Sequence, residues 1–333
     1  MKVYLYGVPG LVGGAATKIR HLILLLNEHV NVIVILPKGR SRKDRQLRQF
    51  LGAINVPLCV LQDLPAKATG TVLAVCEPQF FSGGVARNLK EKGLRIIWAN
   101  EMMWAFKGEA DAIQQGLIDR VLWVSEFQRK ALSHVHGAVP GMIVGNYIDP
   151  DDFAFRERRN PIFTIGRVSR PDPVKYPLNF PQFYESFGIH EIRFRVMAWS
   201  EDLAKQYRWF HFDSRWDLLK PNQVAARAFL GSLDLFVYPL GHRVEESWGR
   251  SVVEAMLTGC PPLVPVGHQF HKLIVHGESG FICDTFDDWN DAIVHLFRDY
   301  PARMKMAKVC SDYARYTHCD PEKHRECWLE ALS

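Results

Sequence analysis

Tyr238-Pro239-Leu240-Gly241-His242-Arg243-Val244-Glu245-Glu246-Ser247-Trp248-Gly249-Arg250-Ser251-Val252-Val253-Glu254-Ala255-Met256-Leu257-Thr258-Gly259-Cys260 reads as the end of a strand, a loop and the start of a helix. The apolar run at 233–238 suits a strand buried on both faces. Pro239 stops it, and residues 251–257 resume at helical spacing behind the small residues Ser247 and Gly249. In an open α/β sheet, ligands sit in the crevice at the carboxyl ends of strands, and a helix start offers free N–H groups to an anion. Glu246 falls in the loop and Glu254 on the helix. Eight residues of continuous helix would hold them roughly 12 Å apart, so one ligand touches both only if the loop folds back.

Glu254 also has a local reading. Ser251-Val252-Val253-Glu254 fits a capping box, in which the glutamate satisfies only its own helix end. The wider pattern points to a ligand. Glu246, seven residues, Glu254, then Ala255-Met256 and Gly259-Cys260-Pro261-Pro262-Leu263-Val264, resembles the E-x7-E segment of retaining glycosyltransferases of the GT-B fold, family GT4. The family usually carries Glu-Gly-Phe-Gly where this chain has Glu246-Ser247-Trp248-Gly249.

The 333 residues, 47% hydrophobic and 23% charged, can bury a large core and suffice for two domains of about 150 residues. No apolar run reaches the roughly 18–20 residues of a membrane span, and Met1-Lys2-Val3-Tyr4-Leu5-Tyr6-Gly7 reads as a first strand rather than a leader, so a cytoplasmic protein is expected. Seven scattered cysteines without a C-x-x-C argue against disulfide staples and a zinc site. The net charge of +5 divides into +7 over residues 1–150 and −2 over the remainder. Six basic residues surround one acid between Lys38 and Arg48; that suits phosphates or peripheral contact with an anionic membrane, and equally a solvated helix face. Aromatics do not interleave with these charges, which disfavours nucleic acid.

Residues 2–6 read as a strand, and Gly7, Gly10, Gly13 and Gly14 lead into an amphipathic helix with Ile19, Leu22, Ile23 and Leu26 at helical spacing. Such a loop lets a backbone approach a phosphate or a polar sugar. Gly7, Gly10 and Gly13 also fit a dinucleotide site, making an NADP-dependent oxidoreductase a rival. No Asp or Glu follows the second strand at 32–36; Pro37-Lys38-Gly39-Arg40 does, which disfavours NAD and tolerates a 2′-phosphate. Strands at 58–61, 71–76, 95–99, 120–124 and 142–144, with helices between them, imply a parallel sheet covered on both faces. Asn100, Glu101 and Trp104 follow one strand and Ser125-Glu126-Phe127 another, with turn and N-cap roles as the simpler alternatives.

Polar, proline-bearing residues 149–160 read as a linker. A strand at 161–165 then ends in Gly166-Arg167-Val168-Ser169-Arg170, with Lys175 further on. Cations at a strand mouth suit a diphosphate, Arg as a rigid fork and Lys as a mobile charge. Strands are expected at 193–197 and 209–212; Met197, Trp199 or Trp216 could border a nucleobase, with core packing the simpler role for each. His268, His271 and His276 look like a metal cluster but lack the HExxH glutamate.

The resemblance implies an α/β protein of the GT-B fold, two Rossmann-like doubly wound parallel-sheet domains facing a central cleft. It places an acceptor domain at 1–150, a donor domain at 151–312 and a terminal helix at 313–333 packing back on the first. The implied activity moves a hexose-type sugar from a nucleoside diphosphate sugar to a hydroxyl of a glycan, lipid-linked or small-molecule acceptor, with retention and without metal or other cofactor. By the same resemblance Glu246, Arg167 and Lys175 are catalytic. Gly13, Gly14, Arg170, Gly249, Ser251, Val252 and Glu254 hold the donor, and Asn100, Glu101, Trp104 and Ser125 face the acceptor. Many family members have a pocket histidine where this chain has Asn100 and Glu101. A silent nucleotide-sugar-binding protein of the same fold is the other alternative.

Overall fold

A computed structural model describes residues 1–11, 13–158 and 160–333. Val12 of the glycine-rich loop and Arg159 of the polar segment lie outside them. The chain forms two compact units, Met1–Tyr147 together with Pro321–Ser333, and Ile148–Asp320.

The first unit holds a seven-stranded sheet: β1 Lys2–Tyr6, β2 Asn31–Leu36, β3 Leu58–Val60, β4 Thr71–Val75, β5 Arg95–Ala99, β6 Arg120–Trp123 and β7 Gly141–Ile143. Its order is β3-β2-β1-β4-β5-β6-β7, and every pair is parallel. Parallel strands need covered crossovers, so both faces are buried and the strands read as continuous apolar runs. The period of two then sorts each strand between two cores. Val3 and Leu5, Leu73 and Val75, Ile97 and Ala99 face one; Tyr4 and Tyr6, Val72 and Ala74, Ile96 and Trp98 face the other. The first core is closed by helices Gly14–Leu26 and Pro321–Leu332, through Ile19, Leu22 and Ile23 on one and Trp328 and Leu332 on the other. Arg95 and Arg120 donate to the last carbonyls of the second helix, Leu332 at 3.0 Å and Ala331 at 2.7 Å, satisfying groups that a helix end leaves open.

The second unit holds β8 Phe163–Val168, β9 Ile192–Met197, β10 Trp216–Leu219, β11 Leu235–Val237, β12 Pro262–Pro265 and β13 Phe281–Cys283. The order is β10-β9-β8-β11-β12-β13, again all parallel. Each sheet therefore reverses winding once, between β1 and β4 and between β8 and β11, and ligand crevices open at such switch points. The strand expected at 209–212 is absent. Phe210 and Phe212 pack instead against the ring of Trp216, and the strand begins there, after a turn in which the Asp213 carboxylate accepts from the Arg215 amide. Met197 and Trp216 are buried and Trp199 packs against the same cluster, so the core reading of all three holds. Among the described residues no helix is long and apolar enough to cross a membrane.

Candidate functional site

At the switch point of the second sheet, the loops after β8 and β11 meet. Lys175 Nζ donates to Glu246 Oε1, a partly buried ion pair across 71 residues. The Tyr238 hydroxyl donates to the same oxygen at 3.1 Å. Burial works against the Lys175 charge most strongly, but Tyr238 and Glu246 together outweigh it and hold the ammonium above its ordinary pKa. Arg170 is exposed and close enough to work against that charge. The Tyr238 hydroxyl is pushed up by burial and next by the Glu246 charge. A cation and a carboxylate thus stand together at the crevice mouth.

Arg167 is placed differently. Its side chain is fully buried, with the guanidinium carbon 3.9 Å from the Tyr176 ring centre and 4.5 Å from that of Tyr238. It donates to the carbonyls of Pro239 at 2.5 Å and Lys175 at 3.3 Å. Flat, delocalised guanidinium suits this stacking in a way that ammonium does not. In this arrangement Arg167 ties the Lys175 loop to the end of β11, while its Nε, also buried, has no hydrogen-bond partner among the described residues.

Helix Arg250–Leu257 starts at Gly249, whose φ of 100° and close packing against Phe270 admit no side chain without strain. Ser251 and Val252 are thus the second and third helical residues, and no side chain caps this helix. The capping-box reading of Ser251 and Glu254 therefore falls, because the box needs its serine one step before the helix. Glu254 pairs with Arg250 at 2.9 Å, one turn apart and mostly buried. The Val252 amide donates to the Gly249 carbonyl at 3.0 Å, so it is spent within the helix start rather than offered to an anion. The Ser251 side chain bonds Tyr238. His268 receives the Glu246 amide on Nδ1 at 3.3 Å, and burial pulls its pKa down, opposed by Glu246 and Glu245.

In the first unit, Gly13 precedes helix Gly14–Leu26 with φ 87°, and a side chain atom at Gly13 or Gly14 would meet open space. That helix carries no acid in its first turn, which leaves its positive end unopposed. Four residues on, Lys18 is fully buried and donates to Glu101 Oε1; Asn146 Nδ2 donates to Glu101 Oε2 at 3.2 Å. The loop after β5 is then held from inside. Asn100 is fully buried. Its Nδ2 donates to the Trp104 carbonyl at 3.1 Å and to both Glu109 oxygens at 3.2 Å, and its Oδ1 takes the Met102 amide at 2.7 Å. Asn100 thus shapes the loop from inside. Ser125 is the N-cap of helix Glu126–Ala131, its hydroxyl accepting from the Gln128 amide at 3.1 Å. Gln128 Nε2 in turn donates to the Asn100 and Met102 carbonyls at 2.7 and 2.9 Å. Trp104 stands 51% exposed on this loop.

Sequence reasoning passed over Lys18, Glu109, Gln128 and His136, since nothing in local spacing distinguishes a buried network residue from a surface one. Among the described residues no three His, Cys, Asp or Glu side chains are grouped to hold a metal ion. The described cysteines form no disulfide.

The two switch-point sheets define a GT-B fold, and solved structures with the same arrangement agree. HepE of Anabaena, in complex with UDP and glucose, superposes with a TM-score of 0.77 at 15% identity over 100% of this chain and 99% of its own. Sucrose-phosphate synthase from Thermosynechococcus elongatus gives 0.72 at 12% identity, covering 99% and 98%. The lipopolysaccharide outer core galactosyltransferase WaaB gives 0.66 at 13%, covering 100% and 99%. Residues 191–315 match the family described as glycosyl transferases group 1. No curated protein sequence matches the chain.

Proposed function

We propose that this protein is a retaining glycosyltransferase that moves a hexose-type sugar from a nucleoside diphosphate sugar to an acceptor hydroxyl without a metal ion. The observation that carries this reading is the Lys175–Glu246 pair at the β8/β11 switch point, beside exposed Arg170 and the start of helix Arg250–Leu257. The group 1 match over the same unit supports it, as does the UDP and glucose bound to the similar HepE.

As the bond from C1 of the sugar to the phosphate oxygen breaks, negative charge collects on the departing diphosphate. Lys175 and Arg170 neutralise it where it develops, so that fixed cations supply what a divalent ion would otherwise provide. Lys175 then exchanges its carboxylate partner for phosphate oxygens. Glu246 is released toward the sugar hydroxyls near the oxocarbenium-like centre. Glu254, anchored by Arg250, takes the ribose diol. The acceptor oxygen attacks C1 on the face the diphosphate leaves, and its proton passes to the departing phosphate oxygen. Arg167 contributes by holding the Lys175 loop in place. An added side-chain atom at Gly13 or Gly14 would meet open space, which leaves room for a phosphate or sugar at the helix start of the first unit. The basic residues between Lys38 and Arg48, all exposed, would draw an anionic membrane or a phosphate-bearing acceptor to the first unit.

A thermal-shift panel of UDP-, GDP-, ADP- and dTDP-sugars, with an NADPH arm, tests the reading. One nucleotide sugar at 100 times its dissociation constant adds about 2.7 kcal/mol of stability, and transfer from it should persist in EDTA. Stabilisation by NADPH alone would replace the reading with an oxidoreductase; binding without turnover would leave a silent binder.

A further inference from the structure

Glu109 lies at the start of helix Glu109–Gln114 and is fully buried, as is His136. Four donors converge on its carboxylate: Trp98 Nε1 at 2.7 Å, Asn100 Nδ2 at 3.2 Å, the Phe106 amide at 2.6 Å and His136 Nε2 at 2.6 Å. Trp123 Nε1 can only donate, and it points at His136 Nδ1 from 2.8 Å. Geometry thereby assigns the His136 proton to Nε2, facing Glu109. Together with Asn100 and Gln128, this network holds carbonyls or amides of residues 100, 102, 104 and 106. Buried ionic networks are weak evidence for stability and are better explained by the one arrangement they enforce.

The arrangement enforced here presents two groups three residues apart. Glu101, its side chain 12% exposed, is anchored by Lys18 and Asn146, and Trp104 keeps half its surface exposed. A lone surface tryptophan needs no explanation, but one carried on a loop fixed from inside by a buried carboxylate does. An indole face is electron-rich and attracts the polarised C–H face of a pyranose, while a carboxylate accepts from its hydroxyls.

We propose that residues 100–106 form a rigid platform on which Trp104 stacks against a pyranose ring of the acceptor and Glu101 takes its hydroxyls, with Glu109 and His136 as positioning residues. This rests on the sugar-transfer reading and names the acceptor as a carbohydrate.

The test uses the full chain. Methyl glycosides of glucose, galactose, mannose and N-acetylglucosamine are titrated by tryptophan fluorescence into wild type, Trp104→Ala, Trp104→Phe and, as a control exposed tryptophan of the second unit, Trp209→Ala. At least one glycoside should give a saturable signal in wild type and Trp209→Ala that Trp104→Ala lacks. In transfer assays Trp104→Ala should raise the acceptor KM by tenfold or more and Trp104→Phe should recover most of it, with nucleoside diphosphate affinity unchanged within twofold. Glu109→Gln, which turns an amide N–H toward the converging donors, should raise the acceptor KM similarly at constant donor affinity. A lower melting temperature with unchanged acceptor KM would make the network merely structural. An acceptor KM unmoved in Trp104→Ala overturns the platform even if Glu109→Gln fails to fold. Donor binding without a Trp104 effect sinks the platform alone. A Trp104-dependent glycoside signal without any donor binding sinks the transfer reading and leaves the sugar platform standing.

Discussion

Arg167 and Lys175 are both cations at one crevice, yet the two face different fates on mutation. Arg167 is fully buried and its two terminal nitrogens serve the Pro239 and Lys175 carbonyls. Truncation leaves those acceptors unpaired, each costing about 1–3 kcal/mol. Arg167→Ala should therefore lower unfolding free energy by about 2–4 kcal/mol, and Arg167→Lys should recover little of it, since an ammonium cannot lie flat over two rings. Urea unfolding midpoints equal to wild type would return Arg167 to a ligand role. Lys175 is neutralised by Glu246 in the unliganded protein. Glu246→Gln frees that charge, so affinity for the free nucleoside diphosphate should rise, on the order of three- to tenfold for one partly screened charge pair, while turnover with the sugar donor collapses. Calorimetric titration showing weaker nucleoside diphosphate binding would contradict the pairing as a latch. His268 is held below its ordinary pKa by burial. Below about pH 6.5, the unfolded value, the unfolded chain takes up a proton that the folded chain resists, so stability falls as pH drops. Between pH 7.5 and 5.5, His268→Asn should lose less stability than wild type; an equal loss would place the acid sensitivity elsewhere.

Helix Arg250–Leu257 shows how an element's first residue governs the site around it. Gly249 carries a φ of 100°, and an added Cβ would come within 2.9 Å of Phe270. Backbone strain of that kind costs about 1–3 kcal/mol, with the clash on top. Gly249→Ala should destabilise the second unit by about 2 kcal/mol or more and shift the Glu246 loop, lowering donor affinity as well. Retained affinity with lost stability would show that the helix start and the loop move independently. The loop 100–106 makes the complementary point: it lacks regular structure, yet Asn100, Gln128 and Glu109 bind its backbone at several points.

Both chain ends build the first unit. Trp328 and Leu332 of helix Pro321–Leu332 complete the core beneath β1 and β5, and removing a buried tryptophan alone costs about 3–5 kcal/mol. Ending the chain at Asp320 should therefore strip hydrogen-exchange protection from β1, β4 and β5 while strands β8 to β12 keep theirs. Unchanged protection in the first sheet would show that the helix is dispensable to it.

The alternation of apolar runs with amphipathic segments, punctuated by Gly and Pro, determined by itself a chain of parallel strands and crossovers. It located β1, β5 and helix Arg250–Leu257 to within a residue or two of where they stand. The spacing from Glu246 to Glu254 and the cations after β8 fall just past the ends of the neighbouring strands β11 and β8, because strand, loop and helix start are set by neighbours a few residues apart. The aromatic run at 209–212 misled for the same reason, since a local pattern cannot tell a sheet face from a ring cluster. Only the tertiary structure decided that Arg167 turns inward, that Lys175 meets Glu246 across 71 residues, and that Glu109 gathers His136 and Asn100. Those partners are chosen by sheet order, which seats β8 beside β11 and β5 beside β6. Burial, which fixes whether a charge meets solvent, carbonyl or carboxylate, exists only once those strands are side by side.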